Sequence, residues 1–420
     1  MAQGKGVVSA AELERRVQEL VEHAPVIDIH THLYPPTFAG LCLWGIDELV
    51  TYHYLVAELL RSSTVTPAQF WALRKSEQAD LIWDALFVKN TPLSEAAAGV
   101  VVVMIKLGLD PCQPNLTQAR EYFASIRAEQ YVDKVLELAN VAELVMTNDP
   151  FNPAERAAWE RNESCPERFH RALRMDPVLN DWATAHRVMA AAGYKTSLDL
   201  APPTATEARR FLDKWIARLR PVYLAVSLPF TFTYPDDSLR TRLIREVVLP
   251  TCLQHDIPFA LMIGVSRQVN PALKEAGDSV GYADTASIER LCAENPGVRF
   301  LVTMLSRENQ HALCVAARKF RNLMPFGCWW FLNNPSIVEE VSSERLELLG
   351  STVIPQHSDA RILDQLIYKW AHARRAISRA LGASYARLVA DGYPLTYEQV
   401  DRDVARMFSG NFRRWVGLPN

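Results

Sequence analysis

The sequence predicts an α/β fold, namely a (β/α)8 TIM-type barrel with a large helical insertion after the first strand and a helical C-terminal tail. Three observations lead to this prediction. Short apolar, β-branched segments alternate with longer amphipathic helical patterns from residue 140 onward. Eight segments are predicted as strands, which is the number in a closed barrel. Residues 35–140, between the first two strands, are too many for a simple loop and are mostly helical in pattern.

The predicted strands span residues 25–31, 142–147, 169–175, 222–227, 258–264, 299–304, 323–328 and 352–356. Helices are predicted between the later strands, over residues 205–219, 239–255, 284–295, 308–320 and 335–349. Crossovers of this length favour a parallel sheet. Residues 194–199 are a weak ninth candidate, which we discount because Pro202 and Pro203 follow and no continuous apolar run is present.

The predicted insertion contains five helical patterns, over residues 53–62, 67–87, 92–108, 117–127 and 129–140. Thr66 and Gln69 have the spacing of a capping box, with Pro67 at the first helical position. The insertion follows the first strand on the face where barrel active sites lie, so we expect it to cover the barrel mouth. Residues 363–417 are again helical and no linker is visible, so one elaborated barrel over residues 1–420 is expected.

Composition and charge exclude several classes of protein. A hydrophobic fraction of 49 % and a charged fraction of 22 % are ordinary for a globular chain. The formal net charge of −3 gives no electrostatic reason to expect nucleic acid or an anionic membrane as a partner. The seven cysteines are dispersed without a Cys-x-x-Cys pair, which is typical of free thiols in a reducing compartment.

We expect a cytoplasmic protein. Residues 1–25 are charged and helical in pattern, unlike a signal peptide. The longest apolar run, residues 96–105, is about half as long as a membrane span requires. The sequence leaves open whether the chain forms a homo-oligomer.

The first candidate site lies where the first strand ends, at Asp28, His30 and His32. Because side chains two apart on a strand point the same way, all three are predicted on one face. Two imidazoles at this spacing can bind one divalent metal ion. The alternative is a pair of solvent-exposed histidines at a strand-to-loop junction. The apolar strand before the pair and the helical insertion after it favour the metal site.

The second candidate site follows the last strand, at His357, Asp359 and Arg361. Asp359 could complete a metal site with the two histidines, because strands 1 and 8 are neighbours in a closed barrel. Alternatively, Asp359 caps a helix that begins near Arg361, and the two roles are compatible. Arg361 is either a surface cation or a guanidinium that binds a substrate carboxylate through two hydrogen bonds.

Other candidates lie at predicted strand ends and in the insertion. Arg174 is the strongest of the strand-end group, whose other members are more typical of turns, caps and rim ion pairs: Asn148, Asp149, Asp176, Arg267 and residues 306–309. Trp330 is most simply interpreted as a core residue, although tryptophan at a barrel mouth can cover a sugar. Tyr54, next to His53, packs by default, but its hydroxyl would reach a substrate as a proton donor if the insertion folds over the mouth.

Taken in order, these motifs resemble the uronate (glucuronate) isomerase family of the amidohydrolase superfamily. The landmarks are His-Thr-His-Leu at 30–33, Met-Thr-Asn-Asp-Pro at 146–150, Leu-Arg-Met-Asp-Pro at 173–177, Ile-Gly-Val-Ser-Arg at 263–267, Met-Leu-Ser-Arg-Glu-Asn at 304–309, Gly-Cys-Trp-Trp-Phe at 327–331 and Ser-Asp-Ala-Arg at 358–361. The resemblance extends from residue 20 to residue 415. The chain is shorter than many family members, and residues 266–270 read Ser-Arg-Gln-Val-Asn where an Arg-Asn-Asn run is common. It therefore resembles a divergent branch.

The resemblance implies a barrel enzyme that interconverts D-glucuronate and D-fructuronate, or D-galacturonate and D-tagaturonate. It also implies one divalent metal ion, usually zinc, at His30, His32 and Asp359. Such an aldose–ketose exchange moves a proton from C2 to C1 through an enediol. We expect Asp359, Tyr54 and His30 to be catalytic. The residues expected to bind the small uronate substrate are Arg361, Arg174, Trp330 and His53.

Two alternatives remain beside the isomerase. A metal-dependent hydrolase or decarboxylase acting on a small carboxylated substrate could use the same barrel. Hydrolytic relatives usually add a lysine or glutamate on strand 4 and histidines on strands 5 and 6, and this chain lacks these ligands at the corresponding strand ends. A binuclear site is therefore not expected. The other alternative, a catalytically silent binding protein, is disfavoured because all three predicted metal ligands are present.

Overall fold

The strands of this protein form one curled sheet in a computed structural model that describes residues 10–161 and 163–419. Seven strands pair in parallel in the order β1-β2-β3-β4-β5-β7-β8, and a two-residue strand, β6, pairs antiparallel with β5. In chain order the strands are β1 (Val26–Thr31), β2 (Val141–Asn148), β3 (Phe169–Arg174), β4 (Tyr223–Pro229), β5 (Phe259–Ser266), β6 (Ser279–Val280), β7 (Phe300–Met304) and β8 (Leu323–Pro325). The seven parallel strands correspond to the first seven predicted ones, whereas β6 was not predicted.

The eighth predicted strand, residues 352–356, is reduced to one parallel bridge between Ile354 and Phe326. Its sequence explains this difference from the prediction. Pro355 has no backbone N–H to donate to a neighbouring strand, and polar residues follow it from Gln356 onward. The prediction of an apolar strand at this position holds for the location of the segment but not for its length.

Residues 354–360 nevertheless connect the two ends of the sheet. The backbone N–H of Asp359 donates to the carbonyl of His30 at 3.1 Å. The backbone N–H of His32 in turn donates to the carbonyl of Ala360 at 2.7 Å. These two hydrogen bonds place the segment beside the carboxyl end of β1, and the curled sheet is consistent with a TIM-type barrel.

Helices account for most of the chain between the strands. One helix, α1 (Ala10–His23), precedes β1. Those between β1 and β2 are α2 (Ile46–Val50), α3 (His53–Ser62), α4 (Pro67–Ala72), α5 (Lys75–Trp83), α6 (Glu95–Leu107), α7 (Thr117–Ala124) and α8 (Ala128–Ala139). Those between β2 and the end of the sheet are α9 (Pro153–Glu160), α10 (Asp176–Asn180), α11 (Trp182–Ala191), α12 (Thr204–Leu219), α13 (Leu239–Leu243), α14 (Leu249–His255), α15 (Ala286–Glu294), α16 (Gln310–Ala317) and α17 (Pro335–Leu349). The tail contains α18 (Gln365–Ala390), α19 (Tyr397–Ala405) and α20 (Asn411–Val416).

Local sequence explains several helix boundaries. The capping box before α4 is confirmed, because Gln69 N donates to Thr66 Oγ1 at 3.3 Å and Thr66 N donates to Gln69 Oε1 at 2.9 Å. The single helix predicted over residues 67–87 is instead divided. The chain is extended at Leu73 and Arg74, and a π-helical turn, Asp84–Val88, follows α5.

Apolar side chains form two large clusters. The outer cluster lies between the sheet and the helices and includes Val26 of β1. The inner cluster is enclosed by the sheet and includes Ile27 and Ile29 of β1 together with Tyr223 of β4. Phe412 of α20 belongs to the inner cluster, with its ring centre 6.4 Å from that of Tyr223. The tail therefore contributes to the core inside the curled sheet.

Three further sequence predictions concern the cysteines, membrane-spanning helices and the N-terminal helix. All seven cysteines are free thiols, as predicted. None of the described helices combines the length and the apolar character that crossing a membrane requires. The helical pattern predicted near the N-terminus is present as α1, while its first nine residues lie outside the described part of the chain.

Two glycines within helices give a test of the helix packing. Gly99 of α6 lies against the ring of Tyr368 in α18, so an added Cβ would be 2.5 Å from Tyr368 Cδ2. Gly382 of α18 has no heavy atom within 4 Å of an added Cβ. Gly99→Ala should lower the free energy of unfolding by about 1–3 kcal/mol through overpacking.

Gly382→Ala is the matched control and should raise the free energy of unfolding by about 0.5–1 kcal/mol, because alanine loses less backbone entropy in a helix. Urea denaturation of the two variants measures both changes. Equal effects of the two substitutions would show that α6 and α18 do not pack as described.

Candidate active site

His30 is held at the carboxyl end of β1 by a tyrosine of β4. It is buried, and its Nδ1 lies 3.1 Å from the hydroxyl oxygen of Tyr223. That hydroxyl donates its single hydrogen to the carbonyl of Ile29 at 2.6 Å. Its oxygen must therefore accept the hydrogen bond from His30 Nδ1–H. The remaining ring nitrogen, Nε2, is left without a proton and is free to act as a ligand atom.

His32 is held in the same way by a threonine of β2. Its Nδ1 lies 3.0 Å from Thr147 Oγ1, and the Thr147 hydroxyl donates to the carbonyl of Thr31 at 3.1 Å. The threonine oxygen therefore accepts from His32 Nδ1–H, and Nε2 is again the unprotonated nitrogen. Both histidines thus have the same tautomer, set by a hydroxyl that is engaged with β1 backbone.

Asp359 completes a cluster with the two histidines. Its Oδ1 is 3.4 Å from His32 Nε2 and 3.8 Å from His30 Nε2. The three candidate ligand atoms lie within 4.8 Å of one another, and within the described chain this is the group of His, Cys, Asp and Glu side chains with metal-ligand spacing. The alternative role of Asp359 as a helix cap is wrong, because α18 begins at Gln365 and its N-cap residue is Asp364.

Burial determines the charge of the cluster. It lowers the pKa of His32 to about 4 and that of His30 well below its ordinary value, so both rings are neutral at pH 7. Burial alone would raise the pKa of Asp359, but in acid, where His32 and His30 are protonated, the hydrogen bond from His32 and the charges of both rings and of Lys369 lower it below its usual range. Two neutral imidazoles and one carboxylate are a donor set that suits a divalent cation such as zinc.

Asp28 does not join this cluster, contrary to the prediction that it shares a face with His30 and His32. The pairing register of β1 shifts between Asp28 and Thr31, which breaks the strict alternation of side chains. The Asp28 carboxylate instead accepts hydrogen bonds from Ser358 N at 3.0 Å and from Trp370 Nε1 at 2.8 Å. It therefore anchors the segment that carries Asp359.

The start of α3 brings His53 against Trp330 and Tyr54 against Phe331. The ring centres of His53 and Trp330 are 5.8 Å apart, and those of His53 and Tyr54 are 4.5 Å apart. His53 Nε2 and the Tyr54 hydroxyl are buried and have no hydrogen-bond partner among the described residues. Burial and the charges around it, including that of Asp359, raise the pKa of Tyr54 well above its ordinary value. Its hydroxyl is therefore protonated at neutral pH and able to donate.

Two arginines supply positive charge near the cluster. Both Arg174 and Arg361 lower the pKa of His32 through their charge, so both lie close enough to act on it. Arg174 Nε donates to Asp176 Oδ2 at 3.1 Å, and Arg361 Nη1 lies 3.4 Å from Glu275 Oε2. A cavity of about 470 Å³ adjoins Arg361 and His53 and opens beside α4. Its lining also includes the carboxylates of Glu48 and Glu275, and it does not include Arg174 or the three residues of the cluster.

Two further residues lie around the cluster, one grouped with it by the sequence and one missed. His357, which the sequence grouped with Asp359 and Arg361 without assigning it a role, is buried with neither ring nitrogen hydrogen-bonded within the described chain, and its ring centre is 5.6 Å from that of His30. The residue that sequence reasoning missed is Lys369. Lys369 of α18 is 1 % exposed and donates to the carbonyl of Ser358 at 2.7 Å. No local pattern points to it, because it reaches the cluster from a helix.

No protein-family model matches the sequence, and the curated proteins give no significant match. Among solved structures, a uronate isomerase from Bacillus halodurans C-125 is 50 % identical, with a TM-score of 0.96 over 99 % of this chain and 98 % of that chain.

Two more distant structures share the fold. A uronate isomerase from Thermotoga maritima is 15 % identical, with a TM-score of 0.74 over 99 % of this chain and 100 % of that one. A glucuronate isomerase from Caulobacter crescentus is 16 % identical, with a TM-score of 0.75 over 98 % of this chain and 95 % of that one. Because identity reaches one residue in two over nearly the full length of the first of these proteins, the chain belongs to the uronate isomerase family.

Proposed function

We propose that this protein interconverts D-glucuronate with D-fructuronate and D-galacturonate with D-tagaturonate. The observation that carries the proposal is the 50 % identity to a uronate isomerase over 99 % of the chain. The protein is accordingly an isomerase. The buried His30, His32 and Asp359 cluster beside two arginines supports the same reaction, because it combines a carboxylate with positive charge for an anionic sugar acid.

The proposed proton transfer uses groups at the two ends of the reacting carbons. Asp359, ionised at neutral pH, serves as the base that takes the C2 proton. Tyr54, protonated and without a partner, donates its proton to the C1 carbonyl oxygen as the enediol forms. In the second half Asp359 delivers its proton to C1 and the Tyr54 phenolate takes the proton of the C2 hydroxyl, so both groups return to their starting states. His30 takes part as a metal ligand, with its Nε2 atom 3.8 Å from Asp359 Oδ1. The C6 carboxylate of the substrate meets Arg361 and Arg174, while Trp330 and His53 cover the sugar.

The residues present fit one divalent metal ion, and we propose Zn²⁺. The fit rests on the two unprotonated Nε2 atoms and the ionised carboxylate, all within 4.8 Å. When bound, such an ion would polarise substrate oxygens as a Lewis acid. Tyr223 and Thr147 hold His30 and His32, because their hydroxyls keep each imidazole in one tautomer.

Residues 35–140 are proposed as one insertion that covers the mouth of a closed (β/α)8 barrel. Two contacts support this. His53, at the beginning of α3, packs on Trp330, and Tyr54 packs on Phe331 and lies beside Lys369. Leu363, after the cluster, donates its N–H to the carbonyl of Leu43 at 2.9 Å. Residues 35–140 therefore contact the barrel on the side where Asp359 lies.

A hydrolase on the same barrel is the weaker candidate. Within the described residues no further histidine, cysteine or carboxylate joins the cluster at metal-ligand spacing. A second ion with a bridging hydroxide would need such ligands. An isomerase needs none of them, because no water nucleophile takes part.

The activity itself is tested by incubating the purified protein with D-glucuronate and Zn²⁺ in D2O and following the sugar by proton NMR. We expect D-fructuronate with deuterium at C1. Asp359→Asn and Tyr54→Phe should each lower kcat by about a hundredfold to ten-thousandfold, the usual contribution of a proton-transfer group. Tyr54→Phe should leave KM nearly unchanged.

Tyr282→Phe is the matched control, because Tyr282 is 64 % exposed on the surface. Its kcat should equal that of the wild type. Absence of any ketose product from both D-glucuronate and D-galacturonate would refute the proposed function, whereas a fully active Tyr54→Phe variant would remove only Tyr54 from the mechanism.

Substrate binding is tested with Arg361→Lys and Arg174→Lys. Lysine retains the charge but loses the planar pair of donors, so KM for D-glucuronate should rise about tenfold to a hundredfold. Arg379→Lys is the control, because Arg379 pairs with Glu339 on the surface of α18. If neither test variant changes KM in steady-state assays, these arginines do not bind the carboxylate.

Metal binding is tested by calorimetric titration of the chelator-treated protein with Zn²⁺. One ion per chain is expected, together with a higher melting temperature, because a ligand that binds the folded state stabilises it. His32→Ala should abolish this binding, since it removes one of three ligands. His255→Ala, which alters an ion pair with Asp213 elsewhere, should leave it intact. Equal affinity of both variants would place the ion at another position.

A further inference from the structure

Lys369 is a buried cation without a direct carboxylate partner. Its side chain is on α18 and is 1 % exposed. Burying an ammonium group is costly unless charge or hydrogen bonds compensate for the lost water. No carboxylate oxygen of the described chain lies within ion-pair distance of its Nζ atom, and the negative groups that act on it from further away are Asp359, Glu95 and Asp28. Its hydrogen bond to the Ser358 carbonyl, at 2.7 Å, is therefore its main fixed contact.

That carbonyl belongs to the peptide that leads into Asp359. The backbone of Asp359 has a φ of +52°, in the left-handed region that is unfavourable for residues other than glycine. Such a conformation persists only when the surroundings enforce it. Asn333 Nδ2 also donates to the Ser358 carbonyl, at 3.2 Å, and Ala360 N donates to Ser358 Oγ at 3.1 Å. Lys369 is the charged donor of this set.

The same ammonium group also lies against the insertion. Lys369 Nζ is 6.0 Å from the centre of the Tyr54 ring, within the range of a cation–π contact. One buried side chain thus contacts the peptide that carries Asp359 and the aromatic ring of Tyr54. These are the two groups to which the proposed proton transfer is assigned.

We propose that Lys369 is a positioning residue, which holds the Ser358–Asp359 peptide in the left-handed conformation that brings the Asp359 carboxylate to His32 and His30. This inference deepens the proposed function and rests on it for its catalytic meaning. Its structural part, the orientation of one peptide, stands independently of the reaction.

The test compares Lys369 with a second buried cation on the same helix. Arg374 is 6 % exposed and donates to the backbone carbonyls of Ala24 and Asn140, away from the cluster. Lys369→Met removes the donor and the charge with little change of volume. Arg374→Met is the matched control, since it removes a buried cation from α18 without touching the Ser358 peptide. Lys369→Gln, which keeps a short donor without the charge, serves if the methionine variant does not fold.

Crystal structures of the wild type and the variants provide the first readout. In Lys369→Met we expect the Ser358–Asp359 peptide to rotate and the distance from Asp359 Oδ1 to His32 Nε2 to lengthen by about 1 Å or more, a displacement sufficient to impair a site. In Arg374→Met this distance should stay as in the wild type. A Lys369 variant with the wild-type peptide would overturn the proposal, whatever its activity.

Zn²⁺ affinity and steady-state kinetics provide the second readout. Lys369→Met should weaken Zn²⁺ binding by about tenfold to a hundredfold, as outer-shell substitutions do, and should lower kcat more than it raises KM. Arg374→Met should lower the melting temperature but leave the Zn²⁺ affinity, kcat and KM unchanged. Equal losses in the two variants would assign Lys369 a purely structural role. If the wild type neither binds Zn²⁺ nor isomerises uronates, the proposed function fails, while the crystal structures still decide the role of Lys369.

Discussion

The junction between β1 and residues 354–360 is the constraint on which the site depends. Two backbone hydrogen bonds, from Asp359 N to His30 O and from His32 N to Ala360 O, join the first strand to a segment near the end of the sheet. The Asp28 carboxylate strengthens this junction by accepting from Ser358 N, 330 positions away in the sequence. Two of these contacts join backbone groups and the third is made by the buried Asp28 carboxylate. They therefore set the distances between the histidines and Asp359 before any ligand is present.

The charge of the cluster follows from its burial at this junction. A buried imidazole is neutral, and a neutral imidazole must place its one proton on one of two nitrogens. In His30 and His32 the proton is directed to Nδ1 by hydroxyls whose own hydrogens are engaged with backbone carbonyls of β1. The folded chain therefore presents two lone pairs and one negative charge at a single point. The three candidate ligand atoms lie within 4.8 Å of one another in the folded chain.

Sequence patterns predicted the regular parts of this fold well. The first seven predicted strands are present, and α17 has the predicted bounds of 335 and 349, because apolar periodicity and Pro335 at its first position are local signals. The eighth strand and the face of Asp28 were mispredicted. Both depend on hydrogen-bond pairing between distant segments, which strand alternation alone does not reveal.

The candidate site was predictable only in part. His30, His32 and Asp359 could be grouped because two strand ends of a barrel must meet. Lys369 could not, since a lysine within a long helix is usually solvated, and its burial depends on how α18 crosses the junction. The proximity of His53 to Trp330 and of Tyr54 to Phe331 likewise depends on tertiary packing of the helices between β1 and β2.

Helix α20 has a consequence for substitutions far from the cluster. Phe412 packs on Tyr223 inside the curled sheet, and the Tyr223 hydroxyl orients His30. The ring that aligns a ligand on the first strand is thus supported by a helix that follows all the strands in the sequence. A chain in which β1 to β8 are already paired would still hold Tyr223 without this support. Replacing Phe412 with a small side chain would therefore loosen His30 from a distance.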